Sequence, residues 1–256
     1  MMSLLVKAPR WLEGAAAPRI KVVATDIDGT ITDDRLRLSL KAVEAIRMLE
    51  EAGLKVVLAS GNALPVVRTL KTYLGCTGAI ICEGGAIVEY RDEVRVLGSS
   101  EEARKALREL KERFGDRVQE TWSNRYRLVD IALKRTIERS IVEEVVRGYP
   151  SLKLMDSGFA YHLVNRSVNK GLGLKVAAEL MGVSLNEVLA VGDSETDLEL
   201  LEVAGFRVAL QNAPPRLKAL AHHITSKPNG EGFVEAAKLA LNVAARNNDG
   251  STRTPP

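Results

Sequence analysis

Asp26 and Asp28 stand two residues apart in Asp26-Ile27-Asp28-Gly29-Thr30, one residue after the apolar run Ile20-Lys21-Val22-Val23-Ala24. Two acids at the end of a buried strand have no use in packing. Burying each costs roughly several kcal/mol unless something compensates, and a bound cation compensates well. Paired carboxylates offer three kinds of chemistry: a nucleophile, a proton donor and acceptor, and hard oxygen ligands for a divalent ion. An acidic loop without function carries the same two letters, so the weight falls on what else the chain contains.

Three further polar clusters follow. Ser60-Gly61-Asn62 offers a hydroxyl and helix-start amides that suit phosphate oxygens, although a serine there also serves as a plain helix cap. Asn169-Lys170-Gly171 opens a helix. A lysine at the positive end of a helix dipole is unfavourable unless an anion is present, the alternative being a solvated side chain. Gly192-Asp193-Ser194-Glu195-Thr196-Asp197 carries two acids able to reach one cation, directly or through intermediate contacts; their other use is capping.

The elements that must position these clusters alternate at first. A strand over 20–25 leads into the paired acids. Ser39 caps a helix over 40–51 with the apolar positions Leu40, Val43, Ile46, Met48 and Leu49, closed by Gly53. A strand over 54–59, a helix with Pro65 in its first turn and a strand over 79–82 complete a parallel βαβ pattern. After Glu83-Gly84-Gly85 the pattern changes to a hairpin over 86–97, a helix over 100–114, a strand over 126–133, a helix over 136–148 and a hairpin over 152–164. Alternation then resumes with helix 170–181, strand 187–192, helix 196–204, strand 206–210 and helices over 214–221 and 231–244. The fold class is therefore α/β: a three-layer, Rossmann-like parallel-sheet core from residues 19–83 and 165–245, interrupted by an α+β insertion over 84–164. Residues 1–18 form a loose extension and 246–256 a frayed tail. Ligand sites in such sheets lie beyond the carboxyl ends of the strands, where all four clusters fall.

Composition narrows the function classes. The 256 residues are 46% hydrophobic, which supports a real core, and 36 basic against 33 acidic residues give no argument for nucleic acid or membrane partners. Cys76 and Cys82 form no CxxC pair, and His162, His222 and His223 have no metal-binding spacing. Gly171-Leu172-Gly173 lacks the third glycine of a dinucleotide fingerprint, and no P-loop is present. Leu4-Leu5-Val6 is too short for a signal peptide, and no apolar stretch reaches about 18 residues, so a cytoplasmic location is expected.

Taken in order, the four clusters resemble the motifs of the haloacid dehalogenase-like phosphatase superfamily over residues 20 to about 212. The insertion is similar to that family's larger cap. Ile81-Cys82-Glu83-Gly84-Gly85-Ala86 and Leu210-Gln211-Asn212-Ala213 resemble the Cof-like branch, and the short cap and total length are similar to archaeal phosphoglycolate phosphatases. The resemblance implies Asp26 as nucleophile through an aspartyl-phosphate and Asp28 as general acid and then base, its protonated form favoured by the nearby carboxylate. It implies Mg²⁺ held by Asp26, the backbone carbonyl of Asp28, Asp193 and Asp197. Ser60, Gly61, Asn62 and Lys170 would bind phosphate, with Asn212 a lesser candidate. Thr196 departs from the asparagine of many relatives and leaves its local hydrogen bonding open.

The cap is expected to select the substrate. Within Trp122-Ser123-Asn124-Arg125-Tyr126-Arg127 an arginine suits a substrate carboxylate, the alternative being an exposed basic strand edge. The implied function is Mg²⁺-dependent hydrolysis of a small phosphorylated metabolite, 2-phosphoglycolate first. A sugar-phosphate phosphatase, a phosphomutase and a non-catalytic phosphometabolite sensor are the alternatives. Monomer and homodimer both remain open.

Overall fold

The computed structural model describes residues 19–250. The proposed extension over 1–18 and the last six residues of the expected tail lie outside the described residues. An eight-stranded sheet forms the core, built from β1 (Val22–Asp26), β2 (Lys55–Ala59), β3 (Ile80–Cys82), β4 (Ile87–Tyr90), β5 (Glu93–Val96), β9 (Val188–Gly192), β10 (Phe206–Ala209) and β11 (His223–Ile224). Its order is β11-β10-β9-β1-β2-β3-β4-β5, in which β4 alone runs antiparallel to the other strands. β1 lies between β2 and β9, so the paired acids leave the middle of the sheet beside two other strand ends.

Alternation along the strands builds the layers. Val23, Val56, Leu58, Leu189 and Val191 face one way, against α1 (Leu40–Glu51), α2 (Leu64–Leu74) and α8 (Asn229–Gly250). Val22, Ala24, Val57, Val188 and Ala190 face the other, against α5 (Lys170–Met181), α6 (Leu198–Val203) and α7 (Pro215–Leu220). Both faces are thus covered, as parallel sheets require. Small residues bring one layer close: a Cβ at Gly171 would lie 2.2 Å from the Glu199 carbonyl, and one at Gly173 2.5 Å from Ile81. That pair of glycines serves close packing of α5.

Several expectations are corrected. The hairpin placed in the insertion belongs to the core sheet. Ile87 packs on one face and Val88 and Tyr90 on the other, so β4 needs cover on both sides and finds it beside β3. The folding unit of the insertion therefore starts near Ser99, not at residue 84. It comprises α3 (Glu101–Phe114), α4 (Arg139–Arg147) and the antiparallel sheet β6-β8-β7 of β6 (Ile131–Lys134), β7 (Leu152–Asp156) and β8 (Ala160–Asn165), sharing one apolar core. The strand expected from 126 starts only at Ile131, because Trp122–Tyr126 winds into a 3-10 turn. α1 buries Ala42, Ala45, Ile46 and Leu49, while Leu40 and Met48 are exposed: the alanines allow close approach to α8. α8 continues through Gly250, into the expected tail, and the short edge strand β11 had no pattern long enough to announce it. No described helix is long and apolar enough to cross a membrane.

Candidate active site

The turn after β1 is shaped by glycine. Gly29 has φ +88°, and a Cβ there would lie 2.5 Å from an Asp193 carboxylate oxygen. Only glycine combines that backbone with that approach, and it brings the loops after β1 and β9 together. Thr30 Oγ1 then donates to Asp193 Oδ1 at 2.6 Å, and Asn212 Nδ2 to Asp193 Oδ2 at 3.0 Å.

Lys170 opens α5, whose N-cap Asn169 accepts from Leu172 N–H. Its ammonium is buried and donates to Asp26 Oδ1 at 2.5 Å and Asp197 Oδ1 at 2.6 Å. Asp197 Oδ2 accepts from the amides of Asp193 and Ser194 and from the Ser194 hydroxyl. Both oxygens of Asp197 are therefore engaged. Asp26 Oδ2, by contrast, has no hydrogen-bond partner among the described residues. Thr196 shares a hydrogen bond with Ser194 at 2.8 Å, which supplies the local contact left open by its departure from asparagine.

Ser60 is fully buried at the end of β2, and its Oγ accepts from the backbone and side-chain nitrogens of Asn62, both at 3.0 Å. Asn62 Nδ2 also donates to Asp28 Oδ2 at 3.0 Å, tying the second cluster to the first. The Ser60 hydroxyl keeps its own proton to donate. Ser60 does not cap α2, whose N-cap is Ala63.

Acid–base properties follow from this crowding. Burial raises the Asp26 carboxyl well above its usual range; Lys170 opposes the rise, and Asp197 and Asp193 add to it. One lysine shared among three carboxylates does not neutralise them. Burial works against the Lys170 charge, yet Asp197 and Asp26 hold the ammonium above its ordinary range. Asp193 is pushed up to about 6, chiefly by burial. Asp28 is also raised, again chiefly by burial, with Lys170 and the Asn62 hydrogen bond opposing. The expected cause, a neighbouring carboxylate, is not the one that acts.

Asp26, Asp193 and Asp197 each offer a ligand oxygen within 4.8 Å of the others. This all-oxygen, anionic set fits a hard divalent cation such as Mg²⁺.

Sequence reasoning missed Thr30, whose only signal was its place in the first cluster, and misjudged Arg127. That side chain is no strand edge. It is buried, donates to both Asp130 oxygens at 2.6 and 2.8 Å, and reaches the Gly61 carbonyl at 3.0 Å. It is therefore not free for a substrate carboxylate. Arg125 is exposed over the Tyr126 ring.

Comparison with known proteins agrees with the motif order. The family pattern of haloacid dehalogenase-like hydrolases matches residues 23–129 and 133–236. The chain belongs to that family. Among curated relatives, a phosphoglycolate phosphatase of Methanothermobacter thermautotrophicus is 42% identical over 86% of this chain and 98% of its own. One from Archaeoglobus fulgidus is 39% identical over 86% and 96%. A crystal structure from Thermoplasma acidophilum superposes with a TM-score of 0.80 at 29% identity, covering 88% of this chain and 99% of its own.

Proposed function

We propose that the protein is a Mg²⁺-dependent phosphomonoesterase working through an aspartyl-phosphate. The observation that carries this reading is that Asp26, Lys170 and the pair Asp193 and Asp197, from three separate stretches of the chain, meet in one cluster beside Asp28 and Ser60. Asp26 Oδ2 attacks phosphorus as the ester P–O bond breaks, and Asp28 gives its proton to the departing oxygen. Water then attacks the same phosphorus, its proton passes to Asp28, and Asp26 is released with inorganic phosphate. Burial of Asp28 favours the protonated form that the first step needs. Lys170 and the Ser60 hydroxyl hold charge on the equatorial oxygens, and the Gly61 amide adds to them.

Asp26, Asp193 and the Asp28 carbonyl would hold Mg²⁺, which when bound offsets the repulsion between a carboxylate and a phosphate dianion. Asp197 has a different assignment: its Oδ1 accepts from the Lys170 ammonium and its Oδ2 from two amides and a hydroxyl, so it holds Lys170 and the loop after β9. Thr30 and Asn212 orient Asp193.

The leading substrate is 2-phosphoglycolate, because archaeal relatives of that name align over nearly their whole length. A sugar-phosphate phosphatase on the same scaffold is the second reading. A panel of phosphate esters assayed with Mg²⁺ and with chelator tests both. Chelator-sensitive release of phosphate with the highest kcat/KM on 2-phosphoglycolate is expected. Preference for a hexose phosphate overturns the substrate, and activity indifferent to chelator overturns the metal.

A further inference from the structure

The Ser60–Asn62 loop is held from behind through each of its three carbonyls. The Ser60 carbonyl accepts from Gly84 N–H at 3.1 Å and the Asn62 carbonyl from Glu83 N–H at 3.0 Å. The Gly61 carbonyl accepts from Arg127, which comes from the cap. With the carbonyls turned this way, the loop's opposite face is left open: a Cβ at Gly61 would meet nothing within 4 Å.

The cap segment that carries Arg127 is held in turn by the core. Glu83 is 1% exposed, and its carboxylate accepts from three consecutive amides: Leu128 at 2.8 Å, Val129 at 2.9 Å and Asp130 at 3.0 Å. Glu83 adopts φ 50°, in the left-handed region, immediately before Gly84 and Gly85 at φ 65° and 111°. A glutamate at a position that favours glycine carries backbone strain. Its side chain accounts for its presence. Arg127 is fixed on the cap side by Asp130 and by Ser123 Oγ, which accepts from Nε at 3.1 Å, while His162 Nδ1 lies 2.8 Å from Asp130. The contacts therefore close a circuit: core Glu83 to cap residues 128–130, cap Arg127 back to core Gly61.

We propose that Glu83 and Arg127 form a clamp through which cap closure sets the geometry of the Ser60–Asn62 phosphate-binding loop, so that both are positioning residues for the hydrolysis proposed above, on which this inference rests. Neither touches the reacting atoms. When the cap lifts, Gly61 loses its guanidinium and the loop loses one of its three anchors, so phosphate is bound tightly only beneath a closed cap.

The test compares wild type with Glu83→Gln, Arg127→Lys and the double variant. Glutamine offers one acceptor oxygen to three amides, and its NH₂ group opposes them. Lysine keeps the charge beside Asp130 but lacks the planar fork that reaches Ser123 and Gly61 together. With p-nitrophenyl phosphate and Mg²⁺, each single variant is expected to raise the inhibition constant of inorganic phosphate about tenfold, since a buried donor or acceptor loses its partner. KM should rise with it, and kcat less. The double variant should be no worse than the worse single one, because both break one circuit. Ser123→Ala strands no charge and should shift phosphate inhibition about threefold the same way, which keeps the clamp testable if the larger changes do not fold. Folded variants whose phosphate inhibition stays within about twofold of wild type, with only the melting temperature lowered, would reduce the clamp to plain structure and overturn it. If wild type hydrolyses no ester, the phosphatase reading fails separately, and the clamp is still read from the shift that inorganic phosphate causes in melting temperature.

Discussion

Two buried clusters of charge adjoin the Ser60–Asn62 loop, and they are compensated differently. In the core, Asp26, Asp28, Asp193 and Asp197 share one lysine, Lys170. In the cap, Arg127 is matched by Asp130, with Ser123 and His162 completing the hydrogen bonds. Burial penalises both clusters, yet the outcomes diverge. Asp26, Asp28 and Asp193 are all raised. At Asp130 burial is overcome by the His162 hydrogen bond and the Arg127 charge, and the carboxyl lies below its usual range. A balanced cluster is satisfied without a ligand and serves structure. A cluster with surplus carboxylate is satisfied only when a cation arrives, which is how a binding site differs physically from a buried ion pair.

The largest effect that sharpens this contrast is on turnover. Asp26→Asn removes the proposed nucleophile and one surplus charge but little volume. Turnover should fall by a factor on the order of 10⁴ or more, while the melting temperature of the metal-free protein holds or rises. Retention of about a tenth of wild-type activity is incompatible with a covalent step through Asp26. The balanced cluster should respond in the opposite way. Asp130→Asn leaves Arg127 buried without a carboxylate and should cost about 3–5 kcal/mol of stability, read by urea unfolding. If it costs no more than Asp26→Asn, the distinction between the clusters collapses.

The smallest effect concerns pH. The folded-state value of Asp193, about 6, lies above its ordinary 3.8. The folded protein therefore binds that proton more tightly, and the associated stability, complete at low pH, is lost as pH rises through 6. Metal-free protein should melt higher at pH 5 than at pH 8, with Asp193 contributing roughly 1–3 kcal/mol, or a few degrees. Glu83, pushed up to about 7 chiefly by burial, adds a share of the same sign. Mg²⁺ should stabilise more at pH 8 than at pH 5, because it satisfies the core cluster and leaves Glu83 untouched. Equal stabilisation at both values would place the ion away from Asp193.

The strands and helices of the core were readable because their signals are local. Ser39 caps α1, and Gly182 ends α5 in the left-handed conformation. The order of acidic, serine, lysine and acidic clusters was readable for the same reason. The boundary of the insertion was not. A short apolar hairpin suits either a core edge or a cap, and only the cover available on both faces of β4 settled its place. Neither reading of the arginines in 122–127 fits Arg127, because nothing adjacent in sequence announces Gly61 as its partner, and the spacing of Asp130 is equally common on a solvated surface. Asp28 was expected to hold its proton because of a neighbouring carboxylate, whereas burial, a property of the packed molecule, is the main cause.

By itself, the sequence determined the class of chemistry: which acids, hydroxyl and lysine are available, in what order, and on elements whose ends converge in any sheet of this type. The tertiary structure alone decided how those groups divide their labour. It engaged both oxygens of Asp197, left one of Asp26 open, placed Thr30 and Asn212 on Asp193, and tied the Ser60–Asn62 loop to the cap through Glu83 and Arg127. The reason is range. Element type follows from neighbours a few residues away, whereas the state of a buried charge depends on every group within a few ångströms, wherever along the chain that group was made.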